Sequence, residues 1–292
     1  MAQQQLFGGD WTEEKLRRIQ KYLSAYTTAL SKQQFRTAYI DAFAGTGYRQ
    51  LKQEQRPSEL MFPELMERDA QTFLQGSAHI ALQTRPRFNK YFFIEKEESR
   101  FNELPRLKDK FPEVAKDIIL VNADCNTYLQ DLCLNRTWRS NRAVLFLDPF
   151  GMQVEWQTIE AIAGTKAIDL WLLFPLGVAV NRLLRRDGQI DETLRKKLDT
   201  LFGTTDWFDA FYQTETTPTL FGEEARLRKV VDLEQIGQYF VARLKRVFAG
   251  VAEKPLPLYN SRNNPLYLLC FAAGNPRGAA LAVKIAQDIL RR

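Results

Sequence analysis

Four short stretches hold the residues best able to do chemistry. Asp41 ends an apolar run and leads into Phe43-Ala44-Gly45-Thr46-Gly47. Glu95 closes Phe92-Phe93-Ile94, and Asp124, followed by Cys125, closes Asn122-Ala123. Asp148-Pro149-Phe150-Gly151 ends Val144-Leu145-Phe146-Leu147. Glycines at 45 and 47 let backbone come close to a ligand where a side chain would block it. A phosphate loop needs G-x-x-x-x-G-K-[ST], and none is present. A dinucleotide turn needs G-x-G-x-x-G, and the third glycine is replaced by Gln50.

What remains suits S-adenosylmethionine, a ligand with a zwitterionic amino acid end, two ribose hydroxyls and no phosphate. Asp41 can meet its ammonium, directly or through water. Phe43, Ala44, Gly45 and Gly47 form the turn that backs it. Glu95 can accept from both ribose hydroxyls, and Asp124, with Cys125 beside it, can lie near the adenine amine. Any one of these acids could merely cap a turn. Together, at the ends of three successive strand-like runs, they point to a cofactor site.

Asp148 to Gly151 form the expected reactive corner. An exocyclic amine is a poor nucleophile because its lone pair is delocalised into the ring. The Asp148 carboxylate and a backbone carbonyl can accept its hydrogens and aim the lone pair at a methyl donor. Pro149 fixes φ and constrains the residue before it, and Phe150 can stack on a flat acceptor. The stretch resembles the D/N-P-P-[YF] motif of methyltransferases that act on nitrogen in planar groups. D-P-[FY]-G also resembles the fourth motif of the tRNA guanine-N2 dimethyltransferases. The expectation is transfer of a methyl group to an amino nitrogen, most readily in a nucleic acid base; the alternatives are a small-molecule or protein acceptor, or a cofactor-binding adaptor that serves a partner protein without transfer. A kinase D-F-G is excluded, because Pro149 intervenes.

These stretches need a scaffold that brings strand ends together. Residues 10–32 read as an amphipathic helix, with Leu16, Ile19, Leu23, Tyr26 and Leu30 at three- and four-residue steps. Asp10 and Glu13 suggest its N-terminal cap pair. Strand-like runs cover Thr37–Phe43, Tyr91–Glu95, Ile118–Ala123, Ala143–Asp148 and Ile168–Phe174. Their apolar density without polar alternation predicts a parallel sheet covered on both faces. Helical stretches fall between them at Ser77–Gln83, with Ser77 as N-cap, and at Glu98–Phe111, Asn126–Asn135 and Trp156–Ala163. Lys254–Tyr259 and Leu266–Ala272 read as an antiparallel hairpin, followed by a helix over Gly278–Leu290. The expected fold class is α/β: a Rossmann-like class I methyltransferase sheet, mostly parallel, with an antiparallel C-terminal hairpin and helical insertions. The chain reads as one domain. The insertions are 50–75, a candidate lid, and 181–250, a helical segment carrying clustered Arg and Lys.

The totals narrow the field. The chain has 292 residues and a net charge of +6, which suits a polyanionic partner such as nucleic acid. Three cysteines without C-x-x-C spacing argue against a disulfide frame or a metal site and fit a reducing cytoplasm. One histidine excludes mechanisms that need two. There is no run long enough for a membrane span, and the first residues do not read as a secretory signal.

Taken whole, the pattern resembles the three-Cys-motif partner proteins (TcmP). The matching features are Trp11, Lys15 and Leu16 in an early W-x-x-x-K-L, Y-I-D-A-F-A-G-T-G at 39–47, and Gly76-Ser77 with Ala81-Leu82. F-I-E follows at 93–95, F-L-D-P-F-G at 146–151 and L-Y-L-L-C-F-A at 266–272. Members of that bacterial family are regarded as methyltransferase-like. They are named for a genetic neighbour that carries three cysteines and is itself similar to radical S-adenosylmethionine proteins. The resemblance implies the fold, the cofactor and roles for Asp41, Gly45, Gly47, Glu95 and Asp148 to Gly151. It also makes such a three-Cys protein a candidate partner.

Overall fold

The computed structural model describes residues 10–44, 76–220, 222–260 and 263–291. Gly45, Gly47 and the candidate lid at 50–75 lie outside the described residues, as do the side chains of Asp10 and Glu13.

The first strands are β1 (Arg36–Asp41), β2 (Lys90–Glu95), β3 (Ile118–Asn122), β4 (Asn141–Leu147) and β5 (Ile168–Phe174). They pair in parallel in the order β3-β2-β1-β4-β5. Every residue of β5 is buried, as its unbroken apolar run implies. β3 is an edge strand and is only partly covered.

Successive side chains point to opposite faces of a strand, so each strand feeds two cores. Ile40, Leu145, Leu147, Leu170 and Leu172 enter one. Tyr39, Val144, Phe146, Trp171 and Leu173 enter the other. The first face is covered by α5 (Cys125–Asn135), α6 (Trp156–Gly164) and α10 (Leu233–Val247). The second is covered by α1 (Asp10–Leu30), a helix over 76–83 (α2) and α11 (Ala279–Arg291). On α1 the buried stripe is Ile19, Tyr22, Leu23 and Tyr26; Ile19, Leu23 and Tyr26 follow the expected spacing, whereas Leu16 and Leu30 are half-buried.

The end of the chain forms the expected hairpin. Strands β9 (Leu256–Tyr259) and β10 (Pro265–Ala273) pair antiparallel, and β10 lies antiparallel to β5. A short β8 (Gly250–Val251) also pairs with β10. The molecule is therefore α/β, with a Rossmann-like class I methyltransferase sheet: mostly parallel, helices on both faces and an antiparallel strand at one side.

Three expectations need correction. The helix over Glu98–Phe111 is broken into α3 (Glu98–Phe101) and α4 (Arg106–Lys110). Pro105 lies at the break and has no N–H to donate to a continuing helix. Ser77 is not an N-cap, because the helix already includes Gly76 and Ser77 is fully buried. The segment 181–250 is not wholly helical. Besides α7 (Asn181–Leu183), α8 (Glu192–Phe202), α9 (Trp207–Phe211) and α10, it contains a two-stranded ribbon, β6 (Tyr212–Thr219) and β7 (Gly222–Lys229). Threonines at 214, 216, 217 and 219 favour extended backbone. The described residues of the ribbon are mostly exposed, so no apolar alternation marks it in the sequence.

Candidate functional site: one rim of the sheet

Because β3, β2, β1 and β4 run parallel, all four acidic strand ends lie on one rim, with β1 between β2 and β4. The chain leaving β1 is pinned to both neighbours. Ala42 N donates to Phe146 O at 3.2 Å, and Ala44 N donates to Ile94 O at 2.9 Å. This places Phe43 and Ala44 between the ends of β2 and β4.

Asp41 is fully buried at this corner. It accepts from the Ser77 hydroxyl at 3.0 Å, from Phe43 N at 3.3 Å and from the Tyr39 hydroxyl at 3.4 Å. Burial pushes its carboxyl up from 3.8 to about 7, against the lowering effect of these donors, and nearby Asp148 adds to the rise. Asp41 is thus a carboxyl that can exchange a proton near neutral pH.

Glu95 ends β2 with a buried side chain. It accepts from Glu97 N at 2.7 Å, and Arg100 Nη1 stands 3.9 Å away. The same guanidinium lies 5.8 Å from the centre of the Phe150 ring. Arg100 therefore spans the interval between the end of β2 and the loop after β4, and its buried Nε has no hydrogen-bond partner among the described residues.

Asp124 is placed differently from the other acids. It is the N-cap of α5, accepting from Asn126 N at 3.0 Å and Thr127 N at 3.3 Å, while Lys96 reaches its other oxygen at 3.2 Å. The amide donors and Lys96 hold this carboxyl below its ordinary value, outweighing the effect of its partial burial. Helix capping thus engages one of its oxygens and Lys96 the other. Cys125 opens α5 with its thiol buried, and burial raises the thiol to about 12. That keeps it neutral and a weak nucleophile.

Asp148 follows β4 and is largely buried. Lys15 Nζ, on a side chain only 1% exposed, donates to Asp148 Oδ2 at 2.8 Å. Pro149 is buried and Phe150 half-buried. Gly151 adopts φ +77°, and a Cβ there would meet none of the described residues within 4 Å. The left-handed backbone explains the glycine, and open space adjoins it. The loop is held from α5 by Asn126. Its Nδ2 donates to Gln153 O at 2.8 Å, and its Oδ1 accepts from Glu155 N at 3.0 Å and the Thr158 hydroxyl at 2.9 Å.

The rim thus gathers Asp41, Phe43, Ala44, Glu95 and Asp148 to Gly151, and sets Asp124 and Cys125 one strand further out. Sequence reasoning missed four residues of this corner: Lys15, Ser77, Arg100 and Asn126. For Lys15 a signal existed. Residues 15, 19, 22 and 26 follow helical steps, so Lys15 stands on the buried stripe of α1. A lysine on such a stripe requires an acidic or polar partner.

The residues fit a nucleoside-bearing cofactor on three observations. Among the described residues, a buried carboxylate ends β2, space adjoins Gly151, and a guanidinium nitrogen without a hydrogen-bond partner lies between them.

No family model matches the chain, and no curated protein matches it. The resemblance to the three-Cys-motif partner proteins therefore stands on the quoted motifs alone. Among solved structures, a DUF519 protein from Legionella pneumophila aligns over 97% of this chain and 92% of its own, at 14% identity and TM-score 0.47. A Listeria monocytogenes protein, provisionally described as an S-adenosylmethionine-dependent methyltransferase, covers 88% of this chain and 98% of its own, at 11% identity and TM-score 0.36. A spermidine synthase bound to the transition-state analogue AdoDATO covers 91% of this chain and 62% of its own, at 8% identity and TM-score 0.41. At these scores the likenesses carry no functional weight, and the fold class rests on the strand order itself. No described helix is long and apolar enough to cross a membrane.

Proposed function

We propose that the protein is an S-adenosylmethionine-dependent methyltransferase acting on an amino nitrogen. One observation carries this reading: Asp148, at the strand end beside Asp41, is an N–H acceptor in a largely buried corner, where one of its oxygens accepts from the Lys15 ammonium at 2.8 Å. A carboxylate so placed has a second oxygen with which to accept from the amine of a substrate. The bound cofactor supplies an electrophilic methyl group. Glu95 and Asp41 hold its polar ends, Asp148 receives the hydrogens of the acceptor amine, and Phe150 gives that acceptor a flat wall. The residues contribute mainly by positioning.

A nucleic acid base is the acceptor class that Phe150 and the D-P-F-G sequence favour. The inserted segment adds little to this. Residues 181–250 carry 12 Lys or Arg against 11 Asp or Glu. Several of these charges pair locally, Arg228 with Glu215 at 2.8 Å and Lys196 with Glu192 at 2.8 Å. A nearly neutral, self-paired surface gives phosphates little to neutralise.

A second reading has one observation in its favour. The β6–β7 ribbon stands exposed, with Leu220 91% accessible at its turn. A two-stranded ribbon is marginal without a covering surface, which suits docking to a partner such as the three-Cys protein. The test is to incubate the protein with labelled cofactor and separate cellular DNA, RNA and protein. Label in a nucleic acid fraction, lost in Asp148→Asn, supports the first reading. Co-purification of a partner at high salt without any labelled product supports the second.

A further inference from the structure

A cavity of about 110 Å3 lies at the opposite rim of the sheet from Asp148. Arg142, at the start of β4, and Asp169, at the start of β5, form its sheet side. Tyr22, Tyr26 and Leu30 come from the second half of α1, and Leu281 and Ile285 from α11. A water needs roughly 10–15 Å3 and an apolar cavity of about 150 Å3 takes benzene. The space therefore suits a molecule of about six heavy atoms.

The wall is mostly apolar, but its polar atoms are distinctive. Both oxygens of Asp169 are engaged, one by the Tyr22 hydroxyl at 2.8 Å and one by Gly274 N at 3.2 Å. The Tyr26 hydroxyl and Arg142 Nε are buried and, among the described residues, have no hydrogen-bond partner. Tyr26 is only 9% exposed. Leaving such groups unpaired costs free energy. Both can donate, so what the wall lacks is an acceptor. The wall carries one charge of each sign, Arg142 and Asp169, so it offers no net charge to offset the desolvation of a charged occupant. Leu281 is 58% exposed and marks an apolar mouth.

We infer that this cavity binds a compact neutral molecule that has a small apolar body and one hydrogen-bond acceptor. The inference is independent of the methyl-transfer reading, because it uses none of the same residues.

Cyclopentanone is the direct probe, and methylenecyclopentane, which replaces the carbonyl oxygen by CH2, is its apolar isostere. Cyclopentylammonium and cyclopentanecarboxylate are the charged controls. Saturation-transfer NMR on the full chain reads binding. The expected result is saturable binding of cyclopentanone and weaker binding of both ions. Tyr26→Phe should weaken cyclopentanone by roughly threefold or more, the worth of one hydrogen bond, and leave methylenecyclopentane unchanged. Leu281→Trp, at an exposed helix position, and Ala29→Leu, at a residue of α1 that also lines the cavity, should each abolish binding of both neutral probes. The inference is overturned if cyclopentanone does not saturate. It is also overturned if Tyr26→Phe weakens the two isosteres equally or not at all, or if both blocking variants bind as before.

Discussion

Lys15 and Asp148 are 133 residues apart in sequence, yet the lysine ammonium donates to the aspartate at 2.8 Å in a largely buried corner. The contact ties the first helix to the loop that carries Asp-Pro-Phe-Gly. Breaking a buried pair by removing one partner costs about 3–5 kcal/mol, because the other charge stays behind. Lys15→Met and Asp148→Asn should therefore each destabilise the fold, and the double variant should cost less than the sum. Chemical unfolding of the four proteins should give a coupling of roughly 1–3 kcal/mol. Additive losses would mean that the pair does not exist in solution.

Stability should fall as pH rises through the acid-to-neutral range. Asp41 is raised from 3.8 to about 7 and Asp169 from 3.8 to about 6, both by burial. An acid with a raised folded-state pKa keeps its proton in the native protein after the unfolded chain has lost it. Its stabilising effect is thus complete below about pH 4 and gone above about pH 7. Asp41→Asn and Asp169→Asn should each flatten this decline, read as melting temperature between pH 5 and 8. A wild-type curve that climbs over that range by an amount neither variant changes would contradict these shifts.

Two glycines with positive φ should respond differently to alanine. At Gly151, φ is +77° and an added Cβ meets none of the described residues within 4 Å. The cost is conformational alone, about 1–2 kcal/mol. At Gly203, φ is +66° and the Cβ would lie 2.0 Å from the Trp156 ring. There the strain adds to overpacking of a buried side chain, roughly 3–5 kcal/mol in all. Calorimetric melting of Gly151→Ala and Gly203→Ala orders them, and equal losses would refute the distinction.

Asn126 should matter to both stability and site geometry. Asn126→Ala leaves Glu155 N, the Thr158 hydroxyl and Gln153 O without this partner. The expected loss is roughly 2–4 kcal/mol. Amide hydrogen exchange should rise first over residues 148–155, and unchanged exchange there would mean that α5 does not hold the loop.

The parts of the fold that were legible in sequence are those with one dominant signal. The apolar runs of β1, β2, β4 and β5 and the spacing on α1 reflect burial directly, and burial decided them. The Glu98–Phe111 helix was misjudged because its charged and apolar residues suit a helix and only Pro105 argues otherwise. The β6–β7 ribbon left no mark, since exposed strands need no apolar alternation. At the site, Asp41, Glu95 and Asp148 could be found because each ends an apolar run. Arg100 and Asn126 could not, for their roles depend on which loops the fold brings beside them. Asp124 shows the limit of strand-end reasoning: its acid does end a run, and it also caps the next helix.

The central claim is that the rim holding Asp41 and Glu95 binds S-adenosylmethionine beside the amine-accepting Asp148. Titration calorimetry with S-adenosylmethionine on wild type, Glu95→Gln and Asp148→Asn tests it most directly. The predicted result is saturable binding by wild type, a loss of about tenfold or more in Glu95→Gln, and binding within a few-fold of wild type in Asp148→Asn. No binding heat from folded wild-type protein, or equal affinity in Glu95→Gln, would contradict it.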